Sequence, residues 1–151
     1  MIQGVQIKHL TRHADERGYL MELVRRDDAI FETFGQCYIA MNYPGVVRAW
    51  HYHKLQDDIF AAVKGMVKVV LYDPREDSPT RGQVEEYFLG ENNPILLKIP
   101  VLVIHGYKTI GLEPSLLLNF PTRPYNPAQP DEYRLPWDSP DIPYDWALKN
   151  R

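Results

Sequence analysis

The stretch Gly45-Val-Val-Arg48-Ala-Trp-His51-Tyr-His53-Lys54-Leu-Gln56-Asp57-Asp58 runs directly into Ile59-Phe-Ala-Ala-Val-Lys64 and then a glycine, Gly65. In an extended strand residues two apart share a face, so Ala49, His51 and His53 point one way and Arg48 the other. The apolar run that follows is bounded by Lys64-Gly65-Met66, a tight hairpin corner, and reads as a buried strand. Working outward, segments rich in Val, Ile, Tyr and Phe at 6–9, 19–24, 36–42, 46–53, 58–64, 66–72, 84–89, 95–99, 102–107 and 115–120 are the candidate strands. Residues 73–82, with two prolines, read as an exposed loop, and only 27–34 has room for a helical turn or two. Ten short strands at close spacing imply an all-β fold, an antiparallel sandwich or barrel whose closure removes exposed edges.

The chain has 151 residues, which sets the expectation of a single domain over 1–151, with 121–151 an irregular arm rich in Pro, Tyr and Asp laid over the barrel. With 17 basic and 20 acidic residues the formal charge is −3, so there is no basic field for a nucleic-acid backbone. No apolar run approaches the ~20 residues of a membrane span and Met1-Ile2-Gln3-Gly4 has no signal-peptide core, so a cytoplasmic protein is expected. Cys37 is the only cysteine, which excludes an intrachain disulfide and a Cys-based zinc site; within Cys37-Tyr38-Ile39-Ala40-Met41 it reads as a small buried hydrophobe.

A His-x-His pair on a strand inside an apolar barrel is costly unless its nitrogens find partners, which gives His51 and His53 a functional role, with His105 beside them. Arg48, between Val47 and Trp50, reads as a buried anion ligand. His9 and His13 belong on the surface, and Trp50, Trp137 and Trp146 are expected to pack. The spacing of Gly45, His51, His53, Asp58 and Gly65, followed by Pro100-Val-Leu-Val-Ile-His105, resembles the two motifs of the cupin barrel, with Asp for the usual Glu and Leu102 where cupins have Gly. In metal cupins the corresponding ligands would be His51, His53, Asp58 and His105, a set suited to Fe, Mn, Ni or Zn.

A second resemblance spans nearly the whole chain. The motifs are Asp15-Glu16-Arg17-Gly18-Tyr19-Leu20-Met21-Glu22, Gly45-Val-Val-Arg48-Ala-Trp-His51, Tyr72-Asp-Pro-Arg75-Glu-Asp77-Ser78-Pro79-Thr80-Arg-Gly82, His105-Gly106-Tyr107, Tyr125-Asn126-Pro127 and Trp137-Asp-Ser-Pro-Asp141 to Asp145-Trp146. In that order they resemble the dTDP-4-dehydrorhamnose 3,5-epimerase family. The resemblance implies a jelly-roll homodimer that binds a dTDP-linked 4-keto-6-deoxyhexose and inverts C3 and C5 without a metal. It implies His51 as base, His105 as second active-site histidine, and Arg17, Glu22 and Arg48 as contacts to the nucleotide; Gln56, Asn119 and Tyr125 are further candidate substrate contacts.

Three of the family's catalytic parts are altered. Asp58 stands where an enolate-stabilising lysine is expected, Asn119 where a tyrosine acid is expected, and the base-orienting aspartate would lie past the point where this sequence stops. Locally, Arg48-x-x-His51-x-His53-Lys54 also resembles sugar 3,4-ketoisomerases, in which paired histidines shuttle protons. Three readings stay open. One is an epimerase or isomerase with His51 as base and His53 or His105 as second proton carrier. The others are a metal-dependent cupin and a sugar-nucleotide binding protein that has lost its chemistry.

Overall fold

The β-branched segments that Pro and Gly separate become strands β1 (Gln6–His9), β2 (His13–Asp15), β3 (Gly18–Leu20), β4 (Tyr38–Asn42), β5 (Val47–Tyr52), β6 (Asp58–Lys64), β7 (Met66–Tyr72), β8 (Val84–Gly90), β9 (Ile95–Ile99), β10 (Ile104–Ile110), β11 (Ser115–Asn119) and β12 (Tyr133–Arg134). These are the elements of the computed structural model, which describes residues 1–149. They form two five-stranded sheets, ordered β1-β9-β6-β11-β4 and β12-β5-β10-β7-β8, with β2-β3 as a separate hairpin. Every pairing is antiparallel. The inner faces meet over Phe60, Leu97, Ile99 and Leu117 from one sheet and Val67, Val69, Leu71, Leu89 and Tyr107 from the other, giving the antiparallel all-β barrel that the strand spacing predicts, in the jelly-roll form that the resemblance implies. No helix among the described residues is long and apolar enough to cross a membrane.

The expected turns fall where their chemistry demands. Gly65 takes φ 66° between β6 and β7, and a Cβ there would meet the Pro114 carbonyl oxygen at 2.8 Å. Leu102, where the cupin motif has glycine, takes the same left-handed conformation, φ 66°, and its N–H donates to the His53 carbonyl at 2.7 Å. The 73–82 loop is more than an exposed connection. The buried carboxylate of Asp73 accepts hydrogen bonds from Arg75, Ser78 and Thr80, and these bonds hold it far below the usual carboxylate range against the opposing effect of burial.

Three local expectations fail. Residues 27–34 form a turn over 27–30 and irregular backbone after it, because the Asp28 carboxylate accepts from the Arg25 backbone N–H (2.8 Å) and Lys8 Nζ (2.6 Å), a local side-chain bond that competes with a helical ladder. Cys37 is exposed, since it leads into β4, the edge strand of its sheet. The parity argument for Arg48 is overturned by a β-bulge: along β10, His105 pairs with His51 but Tyr107 pairs with Arg48, so three steps on β5 match two on β10. The extra residue carries Arg48 round to the same side as His51. Gly106 sits at this bulge, where a Cβ would lie 2.4 Å from the Ala49 Cβ and 3.0 Å from the Arg48 carbonyl oxygen.

Gly106→Ala therefore has to force β5 and β10 apart. We expect a loss of about 1–3 kcal/mol in urea denaturation, the usual cost of overpacking, together with impaired site chemistry even where the fold survives.

Candidate active site

Between the sheets opens a cavity of about 1020 Å³. Its floor is built by β5 and its far wall by β4. Tyr107 of β10 and the residues just after β5 add to the lining, and the segment 123–137, irregular apart from β12, contributes Arg123, Tyr125, Asp131, Tyr133, Arg134 and Trp137. β12 extends the second sheet at β5, with Arg134 opposite His51 and Tyr133 opposite Tyr52, whose rings stack at 5.1 Å. Asp131 ties the arm to the floor: its carboxylate accepts from the backbone N–H groups of Lys54 (2.9 Å) and Leu55 (2.8 Å), and its carbonyl accepts from His53 Nδ1.

His51 faces the cavity, and its ring lies edge-on to His105 (centroids 4.1 Å apart) and His53 (5.4 Å). It makes no hydrogen bond among the described residues. Burial, assisted by positive charge on His105, His53 and Arg134 and only partly opposed by Asp58, holds its pKa well below 6.5. The imidazole is therefore neutral at physiological pH, with a free lone pair.

Behind it lies Asp58, 1% exposed and outside the cavity lining. Its Oδ2 is 3.2 Å from His53 Nε2 and 3.4 Å from His105 Nε2, and its Oδ1 accepts from Gln56 Nε2 at 3.1 Å. Neither imidazole N–H is aimed squarely at Oδ2, so these are ion-pair contacts and not aligned hydrogen bonds. Burial alone would raise the Asp58 pKa, but the two imidazoles override it and keep the group ionised. For His53 burial pulls downward, and the Asp58 contact together with the Asp131 carbonyl raises the pKa above 6.5. His105 donates from Nδ1 to the Val103 carbonyl (2.9 Å), which turns Nε2 toward Asp58.

The remaining expected residues divide by location. Arg48, Gln56 and Tyr125 line the cavity, but Arg48 is exposed to it, its Nε donating to Asn42 Oδ1 at 2.8 Å. The bulge removed the apolar cover expected from its neighbours. Asn119 is 1% exposed and does not line the cavity; its Oδ1 accepts from the Ile59 N–H (3.2 Å) and its Nδ2 donates to the Tyr38 hydroxyl (2.9 Å). Arg17 and Glu22 lie on and just after the β2-β3 hairpin, exposed, and are not brought to this chain's cavity; Arg17 pairs with Asp15, and Glu22 accepts from Arg25 at 3.0 Å. His9 and His13 are exposed as expected. Trp50 packs against Trp146, whereas Trp137 is 57% exposed at the cavity rim.

Sequence reasoning missed Tyr38, Arg123, Asp131 and Arg134. Only Tyr38 carried a usable signal, since Gln36, Tyr38 and Ala40 line the cavity at a spacing of two.

A model of the dTDP-4-dehydrorhamnose 3,5-epimerase family matches residues 1–151. The chain belongs to that family. It is 49% identical over 151 residues to the "Spore coat polysaccharide biosynthesis protein SpsL" of Bacillus subtilis, covering 100% of both chains. It is 47% identical over 147 residues to the "Probable low-salt glycan biosynthesis epimerase Agl13" of Haloferax volcanii, covering 96% of this chain and 94% of that one. The crystal structure of a dTDP sugar isomerase from Desulfovibrio desulfuricans superposes with a TM-score of 0.92 at 35% identity, covering 99% of this chain and 94% of the other. This epimerase-family barrel thus keeps the expected fold.

The alternative metal set also gathers. The donor atoms of His51, His53, Asp58 and His105 lie within 4.8 Å of one another, and three imidazoles with a carboxylate fit a divalent transition metal.

Because His53 is raised above 6.5 in the fold, its contribution to stability is complete below the unfolded-state value and is lost as pH rises through the folded-state value. His53→Gln should accordingly cost more at pH 6 than at pH 8, on the order of 2–3 kcal/mol at the acid end, read by chemical denaturation at both pH values. An equal cost at the two would contradict the ion pair with Asp58.

Proposed function

We propose that this protein is a metal-free epimerase or isomerase of a dTDP-linked 4-keto-6-deoxyhexose, serving activated-sugar synthesis for a polysaccharide or glycan. The observation that carries this reading is the His51 imidazole, which makes no hydrogen bond among the described residues and lies at the floor of a large cavity lined by Arg48, Arg123 and Arg134.

A hydrogen next to the C4 ketone is acidic only when the enolate oxygen is stabilised. His51 takes that proton as general base, while the C–H electron pair moves toward C4 and the carbonyl pair moves to its oxygen. The three arginines are the cations available to that oxygen and to the diphosphate, for which the planar guanidinium fork is well shaped. Asp58 does not face the developing negative charge, because it lies behind His53 and His105 and outside the cavity lining. Gln56 and Tyr125 offer hydrogen bonds to the sugar, and the exposed ring of Trp137 offers a stacking face.

The reading extends to a homodimer. Its support is the unpaired edge of β4, which leaves Ile39 (56%) and Met41 (44%) exposed, beside the exposed apolar residues Tyr19 and Leu20 of the β2-β3 hairpin.

Incubation with dTDP-4-keto-6-deoxyglucose in D₂O, followed by NMR, should reveal deuterium at C3, at C5 or at both, far above the uncatalysed rate. His51→Asn should lower that incorporation by about 10²–10⁴-fold. Undiminished exchange in the variant would remove His51 as the base.

A second reading, in which His51, His53, Asp58 and His105 hold a divalent metal, draws on the gathering of their donors. When bound, such an ion would supply a Lewis acid at the cavity floor. Elemental analysis of protein purified without a His tag separates the two. The metal-free reading expects far less than one equivalent and turnover indifferent to chelator, whereas one equivalent per chain favours the second.

A further inference from the structure

Inversion needs a proton delivered to the ring face opposite the one His51 serves, and the histidines behind it are poorly placed to deliver it. His53 and His105 have their Nδ1 atoms engaged by the Asp131 and Val103 carbonyls and their Nε2 atoms turned toward Asp58. Across the cavity, on the other sheet, stands Tyr38.

Its hydroxyl is held in a particular way. The Ile59 N–H donates to Asn119 Oδ1 at 3.2 Å, which fixes the amide so that Nδ2 donates to the Tyr38 oxygen at 2.9 Å. An amide NH₂ can only donate, so the phenolic oxygen is the acceptor and its own proton stays free. Tyr107 also lines the cavity, but from β10, on the same sheet and the same face as His51. Position 119, where the family resemblance expects a tyrosine, pairs directly with position 38, so the phenol stands on the neighbouring strand of the same wall.

We propose that Tyr38 is the proton donor opposite His51, with Asn119 as its positioning residue; the inference rests on the epimerase reading. His51 breaks the C–H bond next to the ketone and the electron pair forms the enolate. The Tyr38 O–H bond then breaks, its proton forms the new C–H bond on the opposite face, and the enolate pair restores the carbonyl. This leaves Tyr38 as phenolate and His51 as imidazolium, and exchange of one proton through water resets both. Burial pushes the Tyr38 pKa up to about 12 even though the Asn119 bond acts to lower it, so the phenol enters each cycle protonated.

The test is Tyr38→Phe, assayed by NMR with dTDP-4-keto-6-deoxyglucose in D₂O, alongside its thermal stabilisation by dTDP. The expected result is a split. Deuterium still washes into the substrate at close to the wild-type rate with configuration retained, because His51 can return a deuteron to the face it came from. The inverted product falls by about 10²–10⁴-fold, and stabilisation by dTDP is unchanged. Inverted product at a rate near wild type would overturn the proposal. So would parallel loss of wash-in, inversion and dTDP stabilisation, since that pattern belongs to a structural tyrosine. If the wild-type protein itself exchanges no deuterium, the epimerase reading fails and takes this inference with it, a result distinct from either variant outcome.

Discussion

A carboxylate sealed inside a β-barrel governs most of what surrounds it. Asp58 sits on β6 in one sheet, while the groups that compensate it come from the end of β5 and from β10 in the other. An isolated buried charge would cost several kcal/mol, so the fold has to bring His53 and His105 to it, and each of those rings then needs a carbonyl for its second nitrogen. With both imidazoles turned toward Asp58, burial holds the pKa of the unpartnered His51 ring well below 6.5. The aspartate that looks hostile to an enolate in the sequence thus lies behind the cavity floor, where it holds His53 and His105 and leaves the His51 ring to face the cavity.

How far the sequence could be read depended on the length of the signal. β6, β7 and β9 have the bounds that their apolar runs predict, since a largely continuous run of hydrophobes leaves little doubt about the element. β2 and β12, of three and two residues, are too short to carry a period at all. The histidines were legible by type, because imidazoles on buried strands need partners. The face occupied by Arg48 was not, because parity assumes an uninterrupted ladder and one extra residue on β5 reverses it. Asn119 shows the limit of reading single positions: as a substitute for a tyrosine it looked like a loss, and only strand pairing reveals that its amide holds a tyrosine one strand away.

The arm beyond β11 was expected to be irregular, and its chemical content could not be read from composition. Arg123, Asp131 and Arg134 come from backbone whose only strand is the two-residue β12, so no hydrophobic pattern announces which of them turns inward. Their placement comes from side-chain anchors instead. Asp131 clamps the residues after β5, and Trp50 donates to the Trp137 carbonyl at 3.1 Å.

Floor and wall are therefore mutable to very different degrees. A change at Asp58, His105 or Gly106 disturbs both sheets at once, because each of those positions touches the packing or charge balance of the barrel interior. A change at Arg123 or Tyr125 acts first on what the cavity presents to its occupant, since these side chains sit on irregular backbone outside both sheets. Selection for a new sugar can work through these residues while the bond-breaking apparatus stays fixed. In this lineage, ligand preference and reaction type are open to evolve at separate rates.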